Sequence, residues 1–324
     1  MEKRVTIFDF SHLAWQYAFS KVPAMNCTLK VDGKLKTVDT TIPTYTIKAI
    51  HRWVRCNPVA VCFDLKGCSG TRASYFSKIG VGYKVSRGKA DNRLYEGIDL
   101  TKNCLMKGGI SCYSAPNFEA DDLIKVCLER IKKDYPDNMI DIVTGDSDLL
   151  PLVDDRVSVY IKSTKTTYAE SKNLEHNHYV QVTPRNYNSY IRGLTAFKGL
   201  DTEYNTVLLA KILRGDKPDN IKGIKGFTPT RYNALIESLR NDSNVDIQNA
   251  FRYGVSGTFE YFNNLLGNWC SNEEIEQIAK VYTGMNLNGD LGGLRQVAYA
   301  TTPIQGYHSD SLQNAVNFLG IKLF

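Results

Sequence analysis

The chain has 324 residues, 43% hydrophobic and 23% charged, enough for one large or two ordinary packed domains and unlike a disordered chain. Its 40 Lys and Arg against 34 Asp and Glu leave a formal charge of +6, a mild basic excess that permits nucleic-acid binding without demanding it. The 8 Cys show no CxxC zinc spacing, and no apolar run reaches the roughly 18 residues of a membrane span, so reduced thiols in a cytoplasmic protein are expected, with no membrane partner.

Val5 to Phe8 predicts a buried strand ending at Asp9, which also interrupts the N-terminal apolar run and argues against a signal peptide. Residues 42–56 carry apolar positions at helical spacing. Val59 to Phe63 predicts a second strand, ending at Asp64. Residues 67–92 are rich in Gly, Ser and basic residues and lack a clean period. Leu94 to Met106 predicts a helix stopped by Gly108 and Gly109, followed by a short strand from Ile110 to Tyr113. Glu119 to Lys132 predicts a helix, Met139 to Val143 a strand ending near Asp146 and Asp148, and Val157 to Ile161 another strand. Strands alternating with helices imply an α/β fold with a mostly parallel sheet and flanking helices, whose ligands collect at the carboxyl ends of the strands.

Residues 163–190 are polar and read as looping. Beyond about 203 the pattern is helical: EYNTVLLAKILRG, TPTRYNALIESLR, NEEIEQIAKVYTG and finally DSLQNAVNFLGIKLF, capped near Ser309 or Asp310. The expected organisation is an α/β core over residues 1–180 and a mainly helical region over 181–324. On the last helix Leu312, Ala315, Val316 and Leu319 form an apolar face suited to docking on the core; the alternative is a contact with a partner protein.

Three predicted strands are each followed by Asp, at 9, 64 and 146. Glu119 and Asp122 share one face of a helix start, with Asp121 between them, where the helix dipole tolerates carboxylates. In TGDSDLL, Asp146 and Asp148 fall on one side if the segment is extended. Crowded carboxylates repel unless compensated, and hard divalent cations with all-oxygen ligands compensate them. Two such ions about 4 Å apart suit phosphodiester hydrolysis. Taken singly, each Asp reads as solvated or as a turn or cap residue; the conjunction in α/β order points to a shared metal site.

The basic segment at 72–93 interleaves Arg72, Lys78, Lys84, Arg87 and Lys89 with Tyr75, Phe76 and Tyr83, which fits phosphate contacts and base stacking on a single strand. KILRGDKPDNIKGIKG at 211–226 reads as a helix end, a polar turn and a hairpin. Lys222 and Lys225 supply charge there, and Gly223 and Gly226 allow close approach of backbone N–H groups to duplex phosphates.

Together IFDFS, VCFD, RASYF with GYKVSRGK, EADD, TGDSDLL and KILRGDKPDNIKGIKG, in this order from residue 5 to about 226, resemble the flap-endonuclease/5′–3′ exonuclease family in its phage branch. The resemblance implies a PIN/FEN-like sheet, an arch or clamp over about 67–112 and a helix–three-turn–helix duplex-binding element over about 207–239. It implies two metal groups: Asp9, Asp64, Glu119, Asp121 and Asp122 in one, and Asp146, Asp148, Asp216 and Asp219 in the other. Spacing alone reads Asp216 and Asp219 as turn residues. Lys84 matches the family's active-site lysine, with Arg72 and Arg87 as basic companions. The implied cofactors are two Mg²⁺, with Mn²⁺ as a substitute, and a K⁺ ion at the helix–three-turn–helix element. The implied activity is structure-specific 5′ nuclease: 5′–3′ exonuclease, flap endonuclease and RNA-primer (ribonuclease H) removal. Its substrates are branched or nicked duplex DNA and RNA–DNA hybrid. A single-strand-binding protein or sliding clamp is the implied protein partner, the chain is expected to be a monomer, and its place is the cytoplasm, of a host cell if phage-encoded. The competing readings are a PIN-type single-strand ribonuclease, which leaves GDKPDNIKGIKG unexplained, and a branched-DNA-binding protein without turnover.

Overall fold

A computed structural model describes residues 3–18, 22–31, 33–54, 57–85, 92–162, 179–202, 206–241, 259–287 and 308–323. Its centre is a six-stranded sheet built from β1 (Arg4–Asp9), β4 (Val59–Cys62), β5 (Ser111–Tyr113), β6 (Met139–Thr144), β7 (Val157–Lys162) and β8 (Tyr179–Val182), in the order β5-β4-β1-β6-β7-β8. Every pair is parallel except β7 with β8. The chain builds outward from β1 through β4 to β5, then returns to the other side of β1 for β6. That reversal makes a topological switch point between β1 and β6, where a parallel sheet leaves a crevice beyond its strand ends. Register places Asp9 beside Cys62 and Phe8 beside Val143, so the ends of β4, β1 and β6 open together on this crevice.

Alternation along the strands feeds two cores. Phe8, Val59, Val61, Cys112 and Val143 face helices α1 (Phe10–Ala18), α2 (Thr41–Val54) and α4 (Asn92–Lys107), as well as α11 (Ser309–Val316). Val5, Ile7, Ala60, Cys62, Ile140, Ile142, Val157 and Val159 face the other way, against α5 (Ala120–Asp134) and a helical layer. That layer holds α6 (Tyr187–Gly193), α7 (Val207–Arg214), α8 (Pro229–Asn241), α9 (Phe259–Leu266) and α10 (Asn272–Met285). Leu312, Val316 and Leu319 are buried and Ala315 half-buried, so the final helix docks on the core as expected. Among the described cysteines all are free thiols, with Cys62, Cys104, Cys112 and Cys127 buried. No described helix is long and apolar enough to cross a membrane.

Three local readings change, and residues 26–39 form elements that the sequence reading did not assign. The segment read as aperiodic contains α3 (Gly70–Lys78), whose buried residues are Arg72 and Phe76. Pattern reading counts an arginine as surface, and here ion pairing brings it inside, which hides the amphipathic face. Strand β8, the four-residue YVQV, lies within the region read as loop and closes the sheet antiparallel to β7. A hairpin, β2 (Asn26–Val31) with β3 (Lys34–Asp39), stands beside the sheet; its VDGK link carries an Asp-Gly turn signal. TGDSDLL is not extended beyond Thr144: Ser147–Leu152 forms a 3₁₀ helix with Asp146 as its N-cap.

Candidate active site

The strand ends open into a cavity of about 1310 Å³ lined by Asp9, Asp64, Glu119, Asp121, Asp146, Asp148, Asp216 and Asp219, with Arg72, Lys84 and Lys211 among its cations. Thr144 Oγ1 donates to Asp9 Oδ2 at 2.7 Å and accepts from the Asp146 N–H at 3.0 Å, tying the ends of β1 and β6 together. The His12 N–H donates to the other Asp9 oxygen at 3.3 Å. Asp64 accepts the Ala120 N–H at 2.6 Å, which places its carboxylate on the N-terminus of α5, where helix dipole and free N–H groups favour an anion. The Asp148 N–H donates to Asp146 Oδ1 at 2.9 Å and sets the 3₁₀ turn.

Three electrostatic neighbourhoods emerge. In the first, Asp9, Asp64 and Asp121 crowd against Asp146. Burial, then the Asp64 and Asp146 charges, push Asp9 up to about 7 despite the Thr144 hydrogen bond. Burial and the charges of Asp146 and Asp9 likewise raise Asp121, and burial raises Asp64. Asp146 rises to about 6 through burial and the Asp148 charge, with Lys211 opposing. Among the described residues none of these four carboxylates forms an ion pair, and a hard cation relieves such crowding.

The second neighbourhood is already neutralised. Lys84 Nζ lies 2.5 Å from Glu119 Oε1, which also accepts from Ser69; Tyr83 donates to Oε2 at 2.9 Å, and Arg72 Nε lies 3.6 Å from it. Burial alone would raise Glu119, but Lys84 and Arg72 bring it down to about 2. Asp122 pairs with Arg72 Nη2 and accepts the Glu119 N–H at 3.3 Å, closing the capping box of α5. Its carboxylate is committed to the arginine and the cap, and it is not among the cavity-lining residues. Asp122 therefore separates from the metal group in which the sequence placed it.

In the third, Asp148, Asp216 and Asp219 each offer an oxygen within 4.8 Å of the others. Asp216 ends the short strand β9 (Gly215–Asp216), which follows α7 directly, and Asp219 lies on the turn to its antiparallel partner β10 (Ile221–Lys222). At this crossing a Cβ on Gly223 would lie 2.4 Å from the Arg214 carbonyl, and one on Gly215 would lie 2.5 Å from the Gly223 nitrogen. Glycine at 223 is thus required by the crossing itself. The residue that sequence reading missed is Lys211, whose ammonium bonds to Asp148 and lies 2.9 Å from Asp216 Oδ2. Its signal was a lone charge within the otherwise apolar VLLAKIL of α7.

The predicted basic residues divide. Lys84 lines the cavity with φ +53, a left-handed backbone that costs a non-glycine residue about 1–2 kcal/mol. Arg72 is 6% exposed, so its guanidinium braces Glu119 and Asp122. Tyr83 lines the cavity but is only 7% exposed, with its ring stacked on Phe76 at 4.9 Å. Lys78 is exposed on the last turn of α3. Lys222 and Gly223 line the cavity, while Lys225 and Gly226 are exposed beyond it. Arg87 and Lys89 lie outside the described residues.

Against this geometry, residues 4–178 match the sequence profile of the 5′–3′ exonuclease N-terminal resolvase-like domain. The chain belongs to that family. Among relatives of this 5′–3′ exonuclease family, the 5′–3′ exonuclease of Mycoplasma genitalium is 29% identical over 246 residues, covering 73% of this chain and 72% of that protein. DNA polymerase I of Mycobacterium tuberculosis is 29% identical over 248 residues, 74% of this chain but 24% of that protein. The chain thus spans about a quarter or less of the DNA polymerase I relatives it matches. A bacteriophage T5 flap endonuclease, solved as a pseudo-enzyme–product complex with DNA and metal ions, shares the fold. Its TM-score is 0.55 at 15% identity over 98% of this chain and 100% of that one.

Proposed function

We propose that this chain is a structure-specific 5′ nuclease that cuts branched or nicked DNA with two divalent cations, Mg²⁺ by preference and Mn²⁺ as a substitute. The carrying observation is the convergence of uncompensated carboxylates at the β4, β1 and β6 ends with Asp148, Asp216 and Asp219 in one open cavity. An all-oxygen donor set of this kind suits a hard cation. Asp9, Asp64, Asp121 and Asp146 would hold one ion, and Asp148, Asp216 and Asp219, with Asp146 between the groups, the other. When bound, such ions activate the attacking water and neutralise charge at the leaving oxygen. Lys84, on the cavity wall, stabilises charge developing on the phosphate, and Arg72 acts through the residues it braces.

The remaining assignments belong to the same proposal. Residues 1–180 form the nuclease core, with an arch or clamp over about 67–112 that takes the 5′ strand through Lys78, Arg87 and Lys89. Within the helical region 181–324, the element at 207–239 docks duplex through Lys222, Gly223, Lys225 and Gly226 and holds K⁺. RNA primers in RNA–DNA hybrid are removed by the same site. The chain works as a monomer in the cytoplasm, of a host cell if phage-encoded. A single-strand-binding protein or sliding clamp would have to meet exposed side chains such as Phe318, because Leu312, Val316 and Leu319 are buried.

The test is cleavage of a 5′-labelled flap DNA in Mg²⁺, beside an EDTA control and Asp146→Ala. Junction cleavage abolished by both controls is expected; release of single nucleotides shifts the main activity to exonuclease. Tight metal-independent binding without cleavage would instead make the chain a branched-DNA-binding protein.

A further inference from the structure

Lys211 occupies an unusual place. Its ammonium bonds to Asp148 Oδ1 and stands 2.9 Å from Asp216 Oδ2, two of the three carboxylates whose oxygens converge within 4.8 Å. Its side chain is only 15% exposed, yet it lines the open cavity. Its helix neighbours Val207, Leu209, Ala210, Ile212 and Leu213 are buried and apolar, and the other cation of α7, Arg214, donates to the Ala196 carbonyl.

Resting on the two-cation reading above, we propose that Lys211 is a built-in counter-cation: it fills the Asp148–Asp216–Asp219 position in the metal-free protein and is displaced when the second divalent ion binds. The chemistry of the donors carries this. A hard divalent ion binds carboxylate oxygens at about 2.0–2.6 Å, and an ammonium reaches the same oxygens at about 2.7–2.9 Å. Both cannot use the same lone pairs, and the like charges repel at that separation. A lysine is suited to yield, being a point charge on a flexible four-carbon stem, and the cavity offers it room. The consequence is a division of labour. The Asp9, Asp64 and Asp121 group has no such internal cation among the described contacts and takes its ion first. The Asp148 group is held preformed but costs each incoming ion the displacement of Lys211, so it fills last and weakly.

The experiment is Mn²⁺ binding to the full chain, free Mn²⁺ being read by electron paramagnetic resonance, with no substrate and no turnover. Wild type should show a tighter and a weaker class. Lys211→Met should tighten the weaker class tenfold or more and leave the tighter one within about threefold. Lys211→Gln, which keeps length and a donor without charge, should tighten the weaker class in the same direction and guards against a folding defect of the methionine variant. Thermal melts in EDTA should show both variants less stable than wild type and recovering more on Mn²⁺ addition. Unchanged or weakened binding of the second class in the folded variants overturns the proposal and makes Lys211 a support of the carboxylates. Wild type that binds no Mn²⁺ overturns the two-cation reading itself, and with it this inference; the two failures differ in whether wild-type binding is intact.

Discussion

Arg72→Ala separates bracing from catalysis. The guanidinium is 6% exposed, pairs through Nη2 with Asp122 and lies 3.6 Å from Glu119. Burial would lower its pKa, but Asp122 and Glu119 keep it charged. Truncation leaves Asp122, 8% exposed, with no other ion pair among the described residues. Removing one partner of a buried pair costs about 3–5 kcal/mol, a large part of a total stability of about 5–15. Lys84→Ala should cost only about 1 kcal/mol, because Lys84 is 18% exposed at its side chain and Glu119 keeps Tyr83, Ser69 and Arg72. In thermal unfolding at pH 7, at roughly 2–4 °C per kcal/mol, Arg72→Ala should lower Tm by about 6–20 °C and Lys84→Ala by a few degrees. The double variant Arg72→Met with Asp122→Asn should recover part of the loss, since neither partner is then a stranded charge. In flap cleavage the order reverses, with Lys84→Ala losing more turnover per degree of Tm lost. If Arg72→Ala keeps wild-type Tm while turnover falls a hundredfold or more, the bracing argument is refuted and the guanidinium acts on the substrate directly.

Other outcomes follow from the same geometry. Asp9 at about 7 and Asp146 at about 6 hold protons in the folded state that the unfolded chain has released above about 4, so metal-free stability should fall as pH rises from about 4 to 7. Glu119, held at about 2, acts oppositely: its contribution is present above about 4.5 and lost as pH falls toward 2. Melts across pH 3–8 in EDTA should therefore peak near 4–5, and Mg²⁺ should restore stability on the alkaline side; a monotonic rise to pH 8 in EDTA would count against the crowded-carboxylate reading. Gly223→Ala puts a methyl 2.4 Å from the Arg214 backbone, which cannot yield as a side chain would, and should destabilise by about 1–3 kcal/mol and weaken duplex binding in a gel-shift assay. Gly145→Ala drives a Cβ to 2.0 Å from His12 Nδ1 and should displace the turn carrying Asp146, reducing Mn²⁺ binding; adding His12→Ala should restore it, and failure of that rescue would locate the damage elsewhere.

The sequence by itself determined the α/β layout and the carboxylates at strand ends, because period-two and helical spacing report burial and Asp9, Asp64 and Asp146 sit where parallel strands stop. It also supplied Asp216 and Asp219, though only through family resemblance, since by spacing they are turn residues. The tertiary structure decided which charges face which. Asp122, one residue from Asp121, turns to Arg72 and a helix cap while Asp121 joins the crowded group, a choice set by helix phase against a partner 50 residues away. Tyr83 looks like a stacking platform in sequence and is spent on Phe76 and Glu119. Lys211, invisible beside the more obvious basic loops, reaches Asp148 across 63 positions of chain. Local spacing records which side chains share a face of one element; ion pairing between elements depends on how those elements pack, and no short-range pattern encodes it.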